Sequence, residues 1–342
     1  MMELILGYFQ STETGQEALT MASAKYLYGR RVKLVLTTPH ESVTLLYWQT
    51  LTHSLGIHYN VPFSDSSTPP TCTVTIMNLA EKHRKLFKKG YEIKLYSGYA
   101  EDGVGLLSAG VIRRISPFTS DGTNNTFSFT YREGQDYSKL LSSAERANKK
   151  LEDARKKKTK VIGKKAAANL PKIKKHSALS FGKGVSASTI IRRVASDAGI
   201  KLDKVYLAKP KIYKKGYTAH GKPITVIKEI AKACGSRVYY RRGAIIIDDL
   251  SKIKGHNEHI LITEHVKGRH GGTGLIQYPT TDSDNEDAKH QTWTITSLLR
   301  YQVSTGSVVT VKNRFLNGTF RVKSGEHVCD DSTFTTTMEV YV

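Results

Sequence analysis

From Arg30 to Thr130 the apolar, aromatic and β-branched residues fall into short alternating runs separated by turn residues. A period of two fits a strand with one buried face and cannot sit on a helix, so an antiparallel all-β unit is expected here. Candidate strands cover residues 31–37, 56–63, 71–77, 92–99, 106–115 and 126–131, with loops at 64–70 and 121–125. Pro62, Pro69 and Pro70 fall at edges and turns, where a missing N–H costs no ladder hydrogen bond. One stretch breaks the pattern. Residues 78–87 have helical composition, place Leu79, His83, Leu86 and Phe87 on one side and stop at Gly90, which predicts a short helix plugging the sheet.

Around Ser138 the period changes. Leu140, Ala144, Ala147, Leu151 and Ala154 recur at alternating steps of four and three, and Ser142-Ser143-Ala144-Glu145 has the spacing of a capping box, so a helix is expected to about Lys158. Its acids come early and its Arg155–Lys158 cluster late, as the helix dipole favours. Beyond Gly163 periodicity is lost, and residues 166–175 read as a basic tether. From Ser186 the pattern is α/β: Ile190, Ile191, Val194 and Ala198 share the face of a helix ended by Gly199, and a strand is expected at 200–202. A second helix starts near Pro223 with Ile227, Ile230, Ala231 and Cys234 as its stripe, and strands 237–241 and 244–248 turn about Arg242-Gly243. After Gly255 β patterning returns, with strands at 260–263, 290–296, 307–311, 318–322 and 334–341 and loops at 268–274 and 280–287. The expected division is 1–137, 138–182, 183–254 and 255–342, in a chain of 342 residues that is too long for one ordinary domain. The fold class is mainly β and multidomain (α+β), two β regions flanking a small α/β module, with a basic helical insertion.

Hydrophobic residues at 39% and a mean hydropathy of −0.37 leave no run long enough to span a bilayer, so no membrane insertion is expected. Glu3 stands where a signal peptide wants basic residues, so no secretion signal is expected, and the cysteine pattern points to folding in a reducing cytoplasm. Cys72, Cys234 and Cys329 are odd in number, far apart and without CxxC spacing, so three free thiols are expected. The formal net charge is +22, and residues 145–176 hold thirteen Lys/Arg against three acids, which makes the excess look largely like a property of that segment. Its candidate contacts with a polyanion or an acidic neighbour are Lys149, Lys150, Arg155, Lys156, Lys157, Lys158, Lys164 and Lys165. Three readings stand beside one another: an electrostatic arm for nucleic acid or a cell-wall polymer, a tether meeting an acidic partner in an assembly, and a solvated helix with its linker. No Phe, Tyr or Trp lies between Lys139 and His176, so this segment offers nothing for bases to stack on and no sequence-specific reading of nucleic acid.

Signals for catalysis are weak. His256, His259, His265 and His270 lie near Glu258 and Glu264, but no HExxH occurs, and packing or surface roles account for them. The run Gly268-Arg269-His270-Gly271-Gly272-Thr273-Gly274 lacks the GK[ST] ending of a phosphate loop. Asp282, Asp284, Glu286 and Asp287 read as a solvated acidic loop, and no GxSxG elbow is present. No catalytic, cofactor or metal site is expected.

Three stretches together resemble the baseplate hub proteins of tailed bacteriophages and contractile injection systems. The first is Gly56-Ile57-His58-Tyr59-Asn60-Val61, then Thr73-Val74-Thr75-Ile76-Met77-Asn78-Leu79-Ala80, Lys89-Gly90-Tyr91-Glu92-Ile93-Lys94-Leu95-Tyr96-Ser97-Gly98-Tyr99 and Gly110-Val111-Ile112. The second is Ser188-Thr189-Ile190-Ile191 with Gly216-Tyr217 and Gly221-Lys222-Pro223, and the third is Gly306–Val311, Gly318-Thr319-Phe320-Arg321-Val322, Glu326-His327 and Thr336–Val340. Ser307 stands where the family has an acid and Phe320 where it has Tyr, and residues 1–29 match nothing in it. The resemblance implies two tube-type β-barrels and a homotrimeric ring between a sixfold tail tube and a threefold central spike. Its implied partners are its own copies, a tail-tube-side baseplate protein and a spike or tip protein, located in the virion tail and assembled in the host cytoplasm. Nucleic acid would be a non-specific partner at most. Some tail-tip proteins carry lytic domains, but the second β region runs to Val342 and no such domain is expected.

Overall fold

The computed structural model describes residues 27–49, 54–135, 137, 140–162, 179–253, 259–264, 272–281 and 292–341. The first β region comprises β1 (Arg30–Thr37), β2 (Ser42–Trp48), β3 (Ile57–Ser64), β4 (Thr71–Met77), β5 (Glu92–Tyr99), β6 (Gly103–Ile115), β7 (Thr119–Ser120) and β8 (Asn125–Glu133). The six expected strands are present, β4 and β5 with the expected bounds. Strand β2 was not anticipated: its Leu45-Leu46-Tyr47-Trp48 run blurs the alternation, and only Leu45 is buried because β2 lies at the sheet's edge. The helix expected at 78–87 shrinks to one turn, α1 (Glu81–Arg84), after Asn78, which adopts a left-handed φ of 54°. The plug nevertheless forms, since Leu79 and Phe87 both pack into the core beside Phe127 and Phe129.

Helix α2 (Ser143–Ile162) starts directly after Ser142 and runs past the expected end at about Lys158. Its capping box is real: the Ser142 N–H donates to Glu145 Oε2 at 2.8 Å and the Glu145 N–H donates to Ser142 Oγ at 3.2 Å. The tether at 166–175 lies outside the described residues. The α/β module follows with β9 (Leu179–Phe181), β10 (Val185–Ser186), α3 (Ala187–Ala198), β11 (Leu202–Val205), β12 (Ile212–Tyr213), β13 (Tyr217–Ala219), α4 (Pro223–Ala233), β14 (Arg237–Arg241) and β15 (Ala244–Asp248). Ser186 Oγ caps α3 by accepting from the Thr189 N–H, and Gly199 ends it at φ 72°. β11 begins two residues beyond the expected start, because Ile200 is spent as a core plug after the helix cap. Ile190, Ile191, Ile227 and Ile230 of the two helices pack on Ile245 and Ile247 of a three-stranded sheet in which β11 runs parallel to β15. The β14–β15 hairpin turns at Arg242 (φ 51°) and Gly243 (φ 86°), the paired positive angles of a tight hairpin.

The last region holds β16 (His259–Thr263), β17 (Thr280–Thr281), β18 (Thr292–Leu298), β19 (Val308–Lys312), β20 (Asn317–Cys329) and β21 (Phe334–Tyr341). Strand β20 runs on far past the expected 318–322, through the polar Lys323-Ser324-Gly325-Glu326-His327 stretch. That extension joins the two β regions: Ser324–Cys329 of β20 pair antiparallel with β3, Gly325 opposite Phe63 and Cys329 opposite Tyr59. One 14-stranded sheet results, in the order β17-β18-β21-β20-β3-β4-β8-β6-β5-β1-β2, with β16 and β19 paired parallel off that path. The cores interdigitate as well. Phe63 of β3 packs with Ile262, Ile295 and Met338, while Leu299, Cys329 and Phe334 pack with the first region's Tyr59 and Tyr99. Among the described residues no helix is long and apolar enough to cross a membrane.

Candidate functional site

The most heavily built part of the molecule is the junction of its three regions, and segment Arg300–Gln302 lies at its centre. Arg242, held at a left-handed φ in the β14–β15 turn, donates through Nη2 to the carbonyls of Tyr301 (3.0 Å) and Gln302 (3.1 Å). Gln302 Nε2 donates to Asp102 Oδ2 at 3.3 Å, in the turn before β6, and the buried Arg300 guanidinium lies 3.6 Å from Asp102 Oδ1. The Tyr301 ring crosses Gly105 so closely that a Cβ there would stand 2.0 Å from Cε2. Only glycine fits that crossing.

Two further ion pairs tie the module to the sheet. Asp65, in the loop after β3, accepts from Arg237 of β14 (3.0 Å) and from the Tyr341 hydroxyl of β21 (2.7 Å), so one carboxylate touches all three regions. Arg321 of β20, 2% exposed, pairs with Asp248 at the end of β15. A third link is Glu133, the last residue of β8, whose Oε1 accepts from the Gly243 N–H at 3.2 Å. Burial pushes this carboxyl up to about 7, against hydrogen bonds from the Gly243 and Arg242 backbone and Ser108 that favour its charge. Such an arrangement fixes the mutual placement of three regions. The Ser108 hydroxyl that meets Glu133 is enclosed with it away from solvent, and among the described residues no group of three or more His, Cys, Asp and Glu could hold a metal ion. Burial pushes the Cys72 and Cys329 thiols up to about 12 and raises that of Cys234; all three cysteines are free, as expected.

The sequence-derived contact residues do not gather into this junction. Lys149, Lys150, Lys156 and Lys157 are exposed along α2, Arg155 is half-buried, Lys158 lies in the same helix, and Lys164 and Lys165 fall outside the described residues. Helix α2 is anchored at its start on α3: the Ser143 N–H donates to Asp197 Oδ2 and Arg146 donates to the Asp197 carbonyl, both at 2.8 Å. The charge expectation needs correction. Residues 177–254 carry seventeen Lys/Arg against five Asp/Glu, so the α/β module contributes as much of the excess as the 145–176 segment. Its basic residues occur singly or in adjacent pairs such as Arg192-Arg193 and Lys214-Lys215, which is why no long run marks them in the sequence.

A mainly β chain with this sheet and an inserted α/β module has the fold of phage tail proteins. No protein-family model and no curated protein matches the sequence. Among solved structures, a tail protein from Neisseria meningitidis MC58 is similar at a TM-score of 0.54 and 11% identity, over 92% of this chain and 97% of that one. The 43 kDa tail protein of prophage MuSo2 from Shewanella oneidensis is similar at 0.54 and 11% identity, over 90% and 97%.

Proposed function

We propose that this chain is a structural hub protein of a phage tail baseplate or tail tip, acting by shape and assembly with no catalysis. Residues 1–137 and 255–342 form two tube-type β-barrels, 138–182 a basic helix and tether, and 183–254 a small α/β module. Three copies close a ring in the virion tail that presents six similar β units to a sixfold tube and a threefold face to a central spike or tip protein. The observation that carries this reading is the β3–β20 pairing, which locks the two β regions side by side in one sheet, within a fold shared with phage tail proteins along nearly its whole length. A polyanion-binding role through Lys149, Lys150 and the rest of the 145–176 cluster is the second reading, and the exposure of those side chains on α2 favours it.

A permanent ring of this kind buries upwards of roughly 2,000 Å² per interface. Light scattering on the full chain at tens of micromolar should give three times the 38.1 kDa chain mass. A single-chain mass throughout, in the presence and absence of a phage tail tube protein, sinks the hub reading.

A further inference from the structure

The basic excess has a definite place in the fold. Residues 1–144 hold fourteen Lys/Arg against twelve acids and residues 255–342 hold eight against ten, so both β regions are close to neutral and the +22 sits on 145–254. At the edge of the α/β module, a groove of about 670 Å³ opens between the loop after β3 and the end of α4. Ser66 and Ser67 form one wall, Lys228, Lys232 and Arg237 the other, with Ser236 at its end. The single acid in the groove, Asp65, is already engaged by Arg237 and the Tyr341 hydroxyl. Among the described residues neither Lys228 nor Lys232 has a carboxylate partner. Lys228 is half-buried, and its ammonium pKa is pulled down by desolvation alone. A desolvated cation without a counter-ion is stabilised by any anion that enters.

The groove continues onto a basic strip. Ser236 Oγ donates to the Tyr206 carbonyl at 3.3 Å and accepts from the Ala208 N–H at 2.9 Å, and the Lys209 N–H donates to the Cys234 carbonyl at 2.9 Å. Segment 206–211 therefore borders the groove's end and carries Lys209 and Lys211, both exposed, and Tyr206, 39% exposed. Unlike the 145–176 segment, this surface sets an aromatic ring among its cations.

We propose that this groove and strip form a nucleic-acid backbone site. Lys228, Lys232 and the Ser66 and Ser67 hydroxyls take one phosphodiester, Lys209 and Lys211 take its neighbours, and the Tyr206 ring, with Lys252 Nζ 5.8 Å from its centroid, offers its other face to a base. Binding is indifferent to sequence, because compact ammonium groups neutralise phosphate without reading base edges. The site is independent of the hub reading and stands or falls apart from it.

The test is anisotropy of a fluorescein-labelled (dT)20 oligonucleotide with the full chain across a salt series. About three neutralised phosphates give a log–log salt slope near −2, a loss of about twentyfold in affinity from 50 to 200 mM. The K209Q/K211Q/K228Q/K232Q variant should flatten the slope by about 2 and weaken binding at least tenfold at 50 mM, with an unchanged melting temperature. Tyr206→Ala should weaken binding about fivefold or more with little change of slope. K149Q/K150Q/K156Q/K157Q should leave the slope unaltered. No binding at 50 mM, loss of binding in the α2 variant with retention in the groove variant, or equal competition by a base-free phosphodiester polymer such as teichoic acid at matched phosphate would each overturn the proposal.

Discussion

Glu133 Oε1 accepts the Gly243 N–H at 3.2 Å, a carboxylate at the end of the first sheet's β8 holding the turn of a hairpin that belongs to the α/β module. Its burial raises the pKa from 4.5 to about 7. Between those values the folded chain holds a proton that the unfolded chain has released, so this contribution is complete below about 4.5 and is lost as pH rises through about 7. Measured by urea unfolding, the stability of the wild type relative to Glu133→Gln should be lower at pH 8 than at pH 5 by an amount on the order of 3 kcal/mol before solvent relaxation. An equal gap between the two proteins at both pH values would show that Glu133 makes no such contribution.

His327 works in the opposite direction. Fully enclosed, it hydrogen-bonds the Thr336 hydroxyl (2.8 Å) and the Val303 carbonyl (3.1 Å), and burial lowers its pKa from 6.5 to about 3. Here the unfolded chain binds the proton first, so stability is complete above about 6.5 and is lost as pH falls toward about 3. The two slopes oppose each other between about 4.5 and 6.5, which predicts a plateau there with a fall on either side. His327→Gln should let stability go on rising as pH falls through that window. A wild-type profile with a steep slope across the plateau would contradict the pairing.

Much of the local architecture is legible in the sequence, and its limits have physical causes. Strands β4, β5, β15 and β21, the Ser142–Glu145 capping box and the Arg242-Gly243 turn are each set by neighbours in the chain: alternation, caps and turn residues. Strand β2 escapes because an edge strand buries too little to enforce alternation. The β3–β20 pairing escapes because Val61 and His327 meet across 266 residues, and nothing in either strand's own pattern names its partner. The junction is legible only in hindsight: Gly105 and Tyr301, or Asp65 with Arg237 and Tyr341, are ordinary residues until the fold brings them together. The groove lysines escape for a related reason, since a helix spaces Lys228 and Lys232 one turn apart on one side while the sequence shows only isolated charges.

Gly105→Ala tests the crossing at the junction. The new Cβ would stand 2.0 Å from the Tyr301 ring, which must swing out and release the hydrogen bonds that its carbonyl and the neighbouring Gln302 make with Arg242 and Asp102. A loss of about 2 kcal/mol is expected from overpacking. In Tyr301→Ala the same substitution should cost far less, giving a coupling above about 1 kcal/mol in a double-mutant cycle. Additive losses would mean that the two residues do not meet.

The Arg321–Asp248 pair provides the last test, because it links β20 to the end of β15 where the two regions share no strand pairing. Arg321 is enclosed and Asp248 nearly so, hence removing the guanidinium takes the ion pair from a carboxylate held largely away from water. Arg321→Met should destabilise the chain by about 3 kcal/mol. The double variant R321M/D248N should recover most of that loss, since a neutral amide then replaces the carboxylate, and the Tyr239 hydroxyl, 3.5 Å from Asp248 Oδ2, keeps a polar neighbour. Calorimetry should show one transition in the wild type and a separate, earlier transition in Arg321→Met if the pair helps hold the α/β module to the sheet. A single transition at an unchanged temperature in Arg321→Met would mean that β3–β20 pairing and the Asp65 cluster suffice without it.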